Sequence, residues 1–217
     1  MKTLLITGGS RGIGLATVKE FLENEYKVIT TSTSGNVPVQ NENLMVYQLD
    51  LGSTDSIADF AKKVSGEKID VLINNAGFAN KEEMKIDINT LRKTLNVKVV
   101  GMIDLTTKLL PLMNDRGVII NISSKYGSLT EDWGNIVPSY RIAKAAVNMF
   151  TRNYYDDVGV KSKNIKVYSF DPGWVRTDMG GPDAERDPEE PAKELLALAE
   201  SGMKAGLFYK GAKARDW

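Results

Sequence analysis

Tyr140 and Lys144 stand four residues apart in Ser139-Tyr140-Arg141-Ile142-Ala143-Lys144-Ala145-Ala146-Val147. Pro138 at the entry, with Ile142, Ala143, Ala146, Val147 and Phe150 at helical spacing, predicts a helix over 139–158. That spacing puts both side chains on one helix face. A free phenol ionises near pH ~10, too high for a proton donor at neutral pH. An ammonium at ~4 Å, in an effective dielectric of ~20, attracts the phenolate by roughly 4 kcal/mol. At about 1.4 kcal/mol per pH unit, the phenol would fall near 7 and work as a general acid or base. Alone, such a pair is most often a surface contact; the rest of the chain gives it weight.

The chain has 217 residues with 28 basic and 28 acidic side chains, so its charge predicts no nucleic-acid or membrane partner. Its apolar runs are too short to span a bilayer. A strand is expected from about Lys2, which leaves no room for a signal peptide, and a cytoplasmic protein is expected. There is no cysteine and no histidine. Thiol nucleophiles, Ser-His-Asp hydrolysis and His- or Cys-ligated metals are thereby excluded, and no metal is expected. A general acid must be Tyr, Lys, Asp or Glu.

The elements that must position this pair alternate. Strands are expected over 2–7, 27–31, 44–49, 69–73, 117–122, 165–170 and 206–210. Helices are expected over 13–24, 55–65, 86–113, 139–158 and 191–201, with Ser53 or Thr54 as a cap. The polar stretch 34–43 reads as a loop, and 182–191, rich in Pro, Glu and Asp, as a mobile one. The alternation predicts one α/β domain over 1–217, a Rossmann-like doubly wound parallel sheet of about seven strands in the order 3-2-1-4-5-6-7. A short substrate loop is expected around 178–191.

Between the first strand and helix lies Thr7-Gly8-Gly9-Ser10-Arg11-Gly12-Ile13-Gly14. Glycines at 8, 12 and 14 allow a tight turn and a close backbone approach to a ligand, and the helix N-terminus suits a pyrophosphate. A carboxylate at the end of the second strand would select NAD, but Thr30-Thr31-Ser32-Thr33-Ser34 holds no acid. Arg11, with Thr33 or Ser34, could face a 2′-phosphate. NADP is therefore expected over NAD.

The chain resembles the short-chain dehydrogenases/reductases. The motifs are Thr7-Gly8-x3-Gly12-x-Gly14, Asn74-Asn75-Ala76-Gly77, Asn96, Ser124, Tyr140-x3-Lys144 and Pro172-Gly173, in the family's order. The run from Pro172 to Gly181 is similar to carbonyl reductases and to the sniffer and C-factor type members.

The resemblance implies that Tyr140 protonates the carbonyl oxygen and that Lys144 holds the nicotinamide ribose and lowers the proton affinity of Tyr140. Ser124, rather than Ser123, would bond the substrate oxygen. Asn96 would hold a water linking Lys144 to solvent. Ser10 and Ile13 would join the glycines around the pyrophosphate. Asp50 and Leu51 would flank the adenine, and Asn75, Ala76 and Gly77 the adenosine ribose. Pro172 and Gly173 would lead into Val175, whose backbone fixes the carboxamide, and Thr177 would lie near the nicotinamide or pyrophosphate. Assembly as a homodimer or homotetramer through the helices over 86–113 and 139–158 would follow family practice.

The function expected is NADPH-dependent reduction of a small carbonyl: an aldehyde, a ketone or a quinone. Phe78, Tyr126, Trp133 and Trp174 could wall its pocket. Two alternatives stand beside it. A 3-oxoacyl carrier-protein reductase would want a basic mouth, yet Glu131, Asp132, Asp183, Glu185, Asp187, Glu189 and Glu190 make that area acidic. A non-catalytic NADP-binding regulatory protein would not need a tuned phenol.

Overall fold

Leu4, Leu5 and Ile6 are wholly buried on a strand whose side chains alternate between two faces, so the sheet they belong to must be covered on both. The computed structural model describes residues 1–78 and 84–217. Its strands are β1 (Thr3–Thr7), β2 (Lys27–Ser32), β3 (Leu44–Gln48), β4 (Ile69–Asn74), β5 (Met113–Ile122), β6 (Lys166–Phe170), β7 (Phe208–Lys210) and β8 (Lys213–Arg215). The helices are α1 (Gly12–Glu23), α2 (Thr54–Lys63), α3 (Ile88–Leu95), α4 (Met102–Leu109), α5 (Pro138–Tyr155), α6 (Val158–Ser162) and α7 (Glu189–Glu200).

The eight strands run in the order β3-β2-β1-β4-β5-β6-β7-β8. All neighbouring pairs are parallel except β7 and β8. On one face Leu4, Ile6, Val71 and Tyr168 pack with Val18, Phe21 and Leu195 of α1 and α7. On the other Leu5, Ile29, Leu72 and Ile119 pack with Ile57, Phe60, Leu105 and Leu109 of α2 and α4. This is the doubly wound arrangement expected, with one strand more. β8 returns through the two residues Gly211 and Ala212, and Gly211 takes the positive φ of 55° that the hairpin turn needs.

The helix expected over 86–113 is interrupted. α3 and α4 are joined by a π-helical turn, Asn96–Gly101, and α4 ends in a 3-10 turn over Leu110–Leu112. A Cβ on Gly101 would lie 1.9 Å from the Leu51 carbonyl oxygen, so glycine is required where the widened turn meets the loop after β3. The helix expected over 139–158 stops at Tyr155, and Asp157 caps a separate α6 by accepting from Gly159 N and Val160 N. Ser53, not Thr54, caps α2.

Candidate active site

The loops after β1, β2, β4, β5 and β6 open on one sheet edge, as carboxyl ends of parallel strands must. A buried polar ladder lies beneath that edge. Asn74 Nδ2 donates to Thr106 Oγ1 at 2.9 Å and to Asn121 Oδ1 at 2.7 Å, and Asn121 Nδ2 donates to Thr151 Oγ1 at 2.9 Å. Ser169 Oγ donates to Asn148 Oδ1 at 2.6 Å. Thr151 and Asn148 belong to α5, so the helix carrying Tyr140 and Lys144 is keyed by hydrogen bonds to β5 and β6, and through Asn121 to β4. Such bonds fix a rotation that apolar contacts alone leave looser.

Gly8 has φ 76°, and a Cβ there would lie 2.9 Å from Ala76 Cα. A Cβ on Gly14 would lie 2.1 Å from the Gly8 carbonyl oxygen. Asn75 Nδ2 donates to the carbonyls of Thr7 and Gly8, while Thr7 Oγ1 accepts from Asn75 N and Ala76 N. The glycine loop and the Asn75-Ala76-Gly77 turn thus form one backbone cradle. Ser10 and Ile13 lie in that loop, and no side chain caps the first turn of α1. Thr177 packs against Gly12, where a Cβ would lie 3.0 Å from its methyl, and both line an open groove of about 620 Å³.

At the mouth of β5, Ser123 is buried with its hydroxyl on the Lys144 carbonyl, whereas half-buried Ser124 is hydrogen-bonded to the Tyr140 hydroxyl. Lys144 is 8% exposed; its Nζ donates to the Ile122 carbonyl at 2.6 Å and lies 5.5 Å from the Tyr140 ring centroid. A Cβ on Gly127 would meet the Lys144 backbone at 2.7 Å, so the loop after β5 presses directly on α5. Tyr126 stands edge-on to Tyr140 at 6.4 Å and to Trp133 at 5.3 Å. Trp174 donates its indole N–H to the Gly180 carbonyl and so also props its own loop. Asp50 folds onto Gly52 N, Leu51 is buried beside it, and Val175 is buried at the far side.

The proton order differs from the expectation. Burial drives Lys144 down to about 7, and the neighbouring Lys98 charge pushes the same way. Burial drives Tyr140 up to about 12, against the Ser124 hydrogen bond. The lysine, not the phenol, titrates near neutrality here. Two buried ammonium groups cannot both stay charged cheaply, and a neutral lysine gives the phenolate no support.

Asn96 Nδ2 donates to the Gly52 carbonyl at 3.0 Å, on a groove lined by Leu51, Val100 and Ile103. Lys98, two residues on, is 5% exposed and lies 4.9 Å from the Tyr140 ring centroid. A lysine in mid-helix reads as solvated; the available signal was its alignment with Thr94, Met102 and Leu105, all on the buried face. Arg11 pairs with Asp178 at 2.9 Å, and Thr33 and Ser34 are both exposed. The stretch over 182–191 is stapled. Arg176 binds Asp187 and the Ala184 carbonyl, and Arg186 binds Glu190, Glu194 and the Pro172 carbonyl beside Gly173. These pairs also offset part of the acidity at the mouth.

A family model described as short chain dehydrogenase matches residues 2–188. NADPH carbonyl reductase 1 of Homo sapiens is 31% identical, over 98% of this chain and 97% of its own. Carbonyl reductase Sniffer of D. melanogaster superposes with a TM-score of 0.84 at 28% identity, covering 100% of both chains. A short-chain dehydrogenase/reductase of Burkholderia multivorans, solved with bound NADP, gives 0.88 at 25% identity over 100% of this chain and 99% of its own. The chain belongs to the short-chain dehydrogenase family and is an oxidoreductase.

Proposed function

We propose that the protein reduces small carbonyl compounds, aldehydes, ketones or quinones, with NADPH as hydride donor. The carrying observation is the Ser124–Tyr140 hydroxyl pair, backed by Lys144, at the edge where the glycine cradle opens. The residues fit a dinucleotide: Gly8, Gly12 and Gly14 keep side chains out of the cradle, and the uncapped first turn of α1 offers N–H groups to phosphate. Ser10, Arg11, Ile13, Thr33, Asp50, Leu51, Asn75, Ala76, Gly77, Pro172, Gly173, Val175 and Thr177 would complete that site. Arg11 and Asp178 are both well exposed, so their pair is weak and Arg11 can exchange it for a 2′-phosphate. The bound cofactor supplies the hydride.

The protein's own groups handle the oxygen and the proton. Ser124 and Tyr140 both donate to the carbonyl oxygen, where negative charge develops. Tyr140 then gives up its proton, and Lys144 in its ammonium form stabilises the phenolate left behind. Tyr126, Trp133 and Trp174 form the apolar side of the substrate space, bounded by the stapled loop over 178–191. Exposed Val100, Ile142 and Met149 would supply a homo-oligomer contact. The cysteine-free composition suits a cytoplasmic setting; no described helix is long and apolar enough to cross a membrane. Tyr140→Phe tests the chemistry. Its carbonyl reduction should fall at least ~10³-fold while NADPH affinity changes less than ~3-fold. Near-normal turnover would sink the mechanism.

A further inference from the structure

Lys98 is a buried lysine that the reaction just described does not use. It sits on the π-helical turn between α3 and α4, a local widening that often marks function. Its Nζ donates to the Phe78 carbonyl at 2.7 Å and lies over two rings, 5.0 Å from the Phe78 centroid and 4.9 Å from that of Tyr140. A Cβ on Gly77 would stand 3.0 Å from this Nζ, so the glycine that ends the cofactor cradle also makes room for the ammonium. Lys144 meets the same Tyr140 ring at 5.5 Å, so two lysines converge on one phenol.

We propose that Lys98 is a positioning residue for the reaction: its ammonium, held against Tyr140 beside Lys144, sets which of the two carries the proton. A ring face attracts a cation, and a phenolate ring does so far more strongly than a phenol. A charged Lys98 therefore favours ionised Tyr140 and disfavours a second charge on Lys144. Burial lowers Lys98 itself to about 8, so it can hold its proton at neutral pH and lose it just above.

Other charged and titratable groups face the same cluster. Asp171, at the end of β6, acts on Tyr140 and Lys144 in the opposite sense and is held by Arg215 of β8 at 2.8 Å. Tyr126 faces Tyr140 from the loop after β5, and Lys125 lies over Tyr126 and Trp133. Lys93 of α3 lies over the Phe78 ring at 5.3 Å. Among the described residues, Lys98 and Lys144 are the two cations over the Tyr140 ring.

The kinetic consequence rests on the carbonyl-reductase reading, but the proton equilibrium does not, so two experiments separate them. In cofactor-free protein labelled with 13C at lysine Cε, the Lys144 resonance should titrate near 7 and move up by ~1 pH unit in Lys98→Met. Lys98→Arg, which keeps the charge, should leave it low. An unmoved midpoint in Lys98→Met, or an equal rise in both variants, overturns the proposal. In carbonyl reduction the alkaline limb of kcat/KM should also shift upward by ~1 pH unit in Lys98→Met and stay put in Lys98→Arg. A purely structural lysine would change the unfolding midpoint without moving either titration. A resonance shift with no NADPH oxidation in any variant would keep the proton coupling and remove the reductase reading.

Discussion

At the residue scale, the placing of Tyr140 and Lys144 on one helix face was legible, and Ser124, not Ser123, meets the Tyr140 hydroxyl. The proton order was not legible. Coulomb attraction across one helix face takes no account of desolvation, and both lysines beside Tyr140 are nearly enclosed. Lys98 illustrates a related limit. The π turn that carries it is not announced by the local residue types; its alignment with buried Thr94, Met102 and Leu105 was the signal available. Burial also makes stability depend on pH. Between pH about 8 and the ordinary lysine range near 10.5, the unfolded chain keeps a proton on residue 98 that the folded protein has lost. Folded stability in the cofactor-free protein should therefore rise with pH across that window, by about 3 kcal/mol at most from this group. Urea unfolding at pH 7.5 and 10 should show the rise in the parent protein and a smaller one in Lys98→Met. Parallel curves for the two would contradict it.

At the element scale, strands and amphipathic helices followed from periodicity, and their ends fell within a few residues. β5 is the main exception among the strands, beginning at Met113 rather than Gly117, with its pairing to β4 shifted between Ile69 and Val71. The missed strand is β8, only three residues long and too polar to read as buried. It brings Arg215 between Asp171 and Glu131. Beyond it, Trp217 stacks on Phe208 at 6.0 Å, and its carbonyl accepts from Leu129 N at 3.0 Å. This hairpin clamps the loop after β5 against the end of β6. Asp171 is 1% exposed, so Arg215→Ala leaves a buried carboxylate without its cation and should cost about 3 kcal/mol of unfolding free energy. Adding Asp171→Asn should recover part of that loss. If Arg215→Ala unfolds at the parental denaturant concentration, β8 is not the clamp described.

At the scale of the whole molecule, the doubly wound topology follows from strand–helix alternation, and with it the meeting of the glycine loop, Asn75–Gly77, Ser124 and Val175–Thr177 at one sheet edge. Contacts between distant polar segments were beyond sequence reading. The stretch over 182–191 looked mobile because its composition is charged, yet its acids meet Arg176 and Arg186 in three dimensions. The reaction proposed for this edge is hydride transfer from NADPH to a small carbonyl. Its most direct test is cofactor oxidation at 340 nm, with NADPH and NADH in parallel, against an aromatic aldehyde, a vicinal diketone and a quinone. Turnover of at least one of these with NADPH is expected, with a kcat/KM for NADH lower by ~10-fold or more. Equal or better use of NADH, or NADPH binding with no carbonyl reduced, would contradict it.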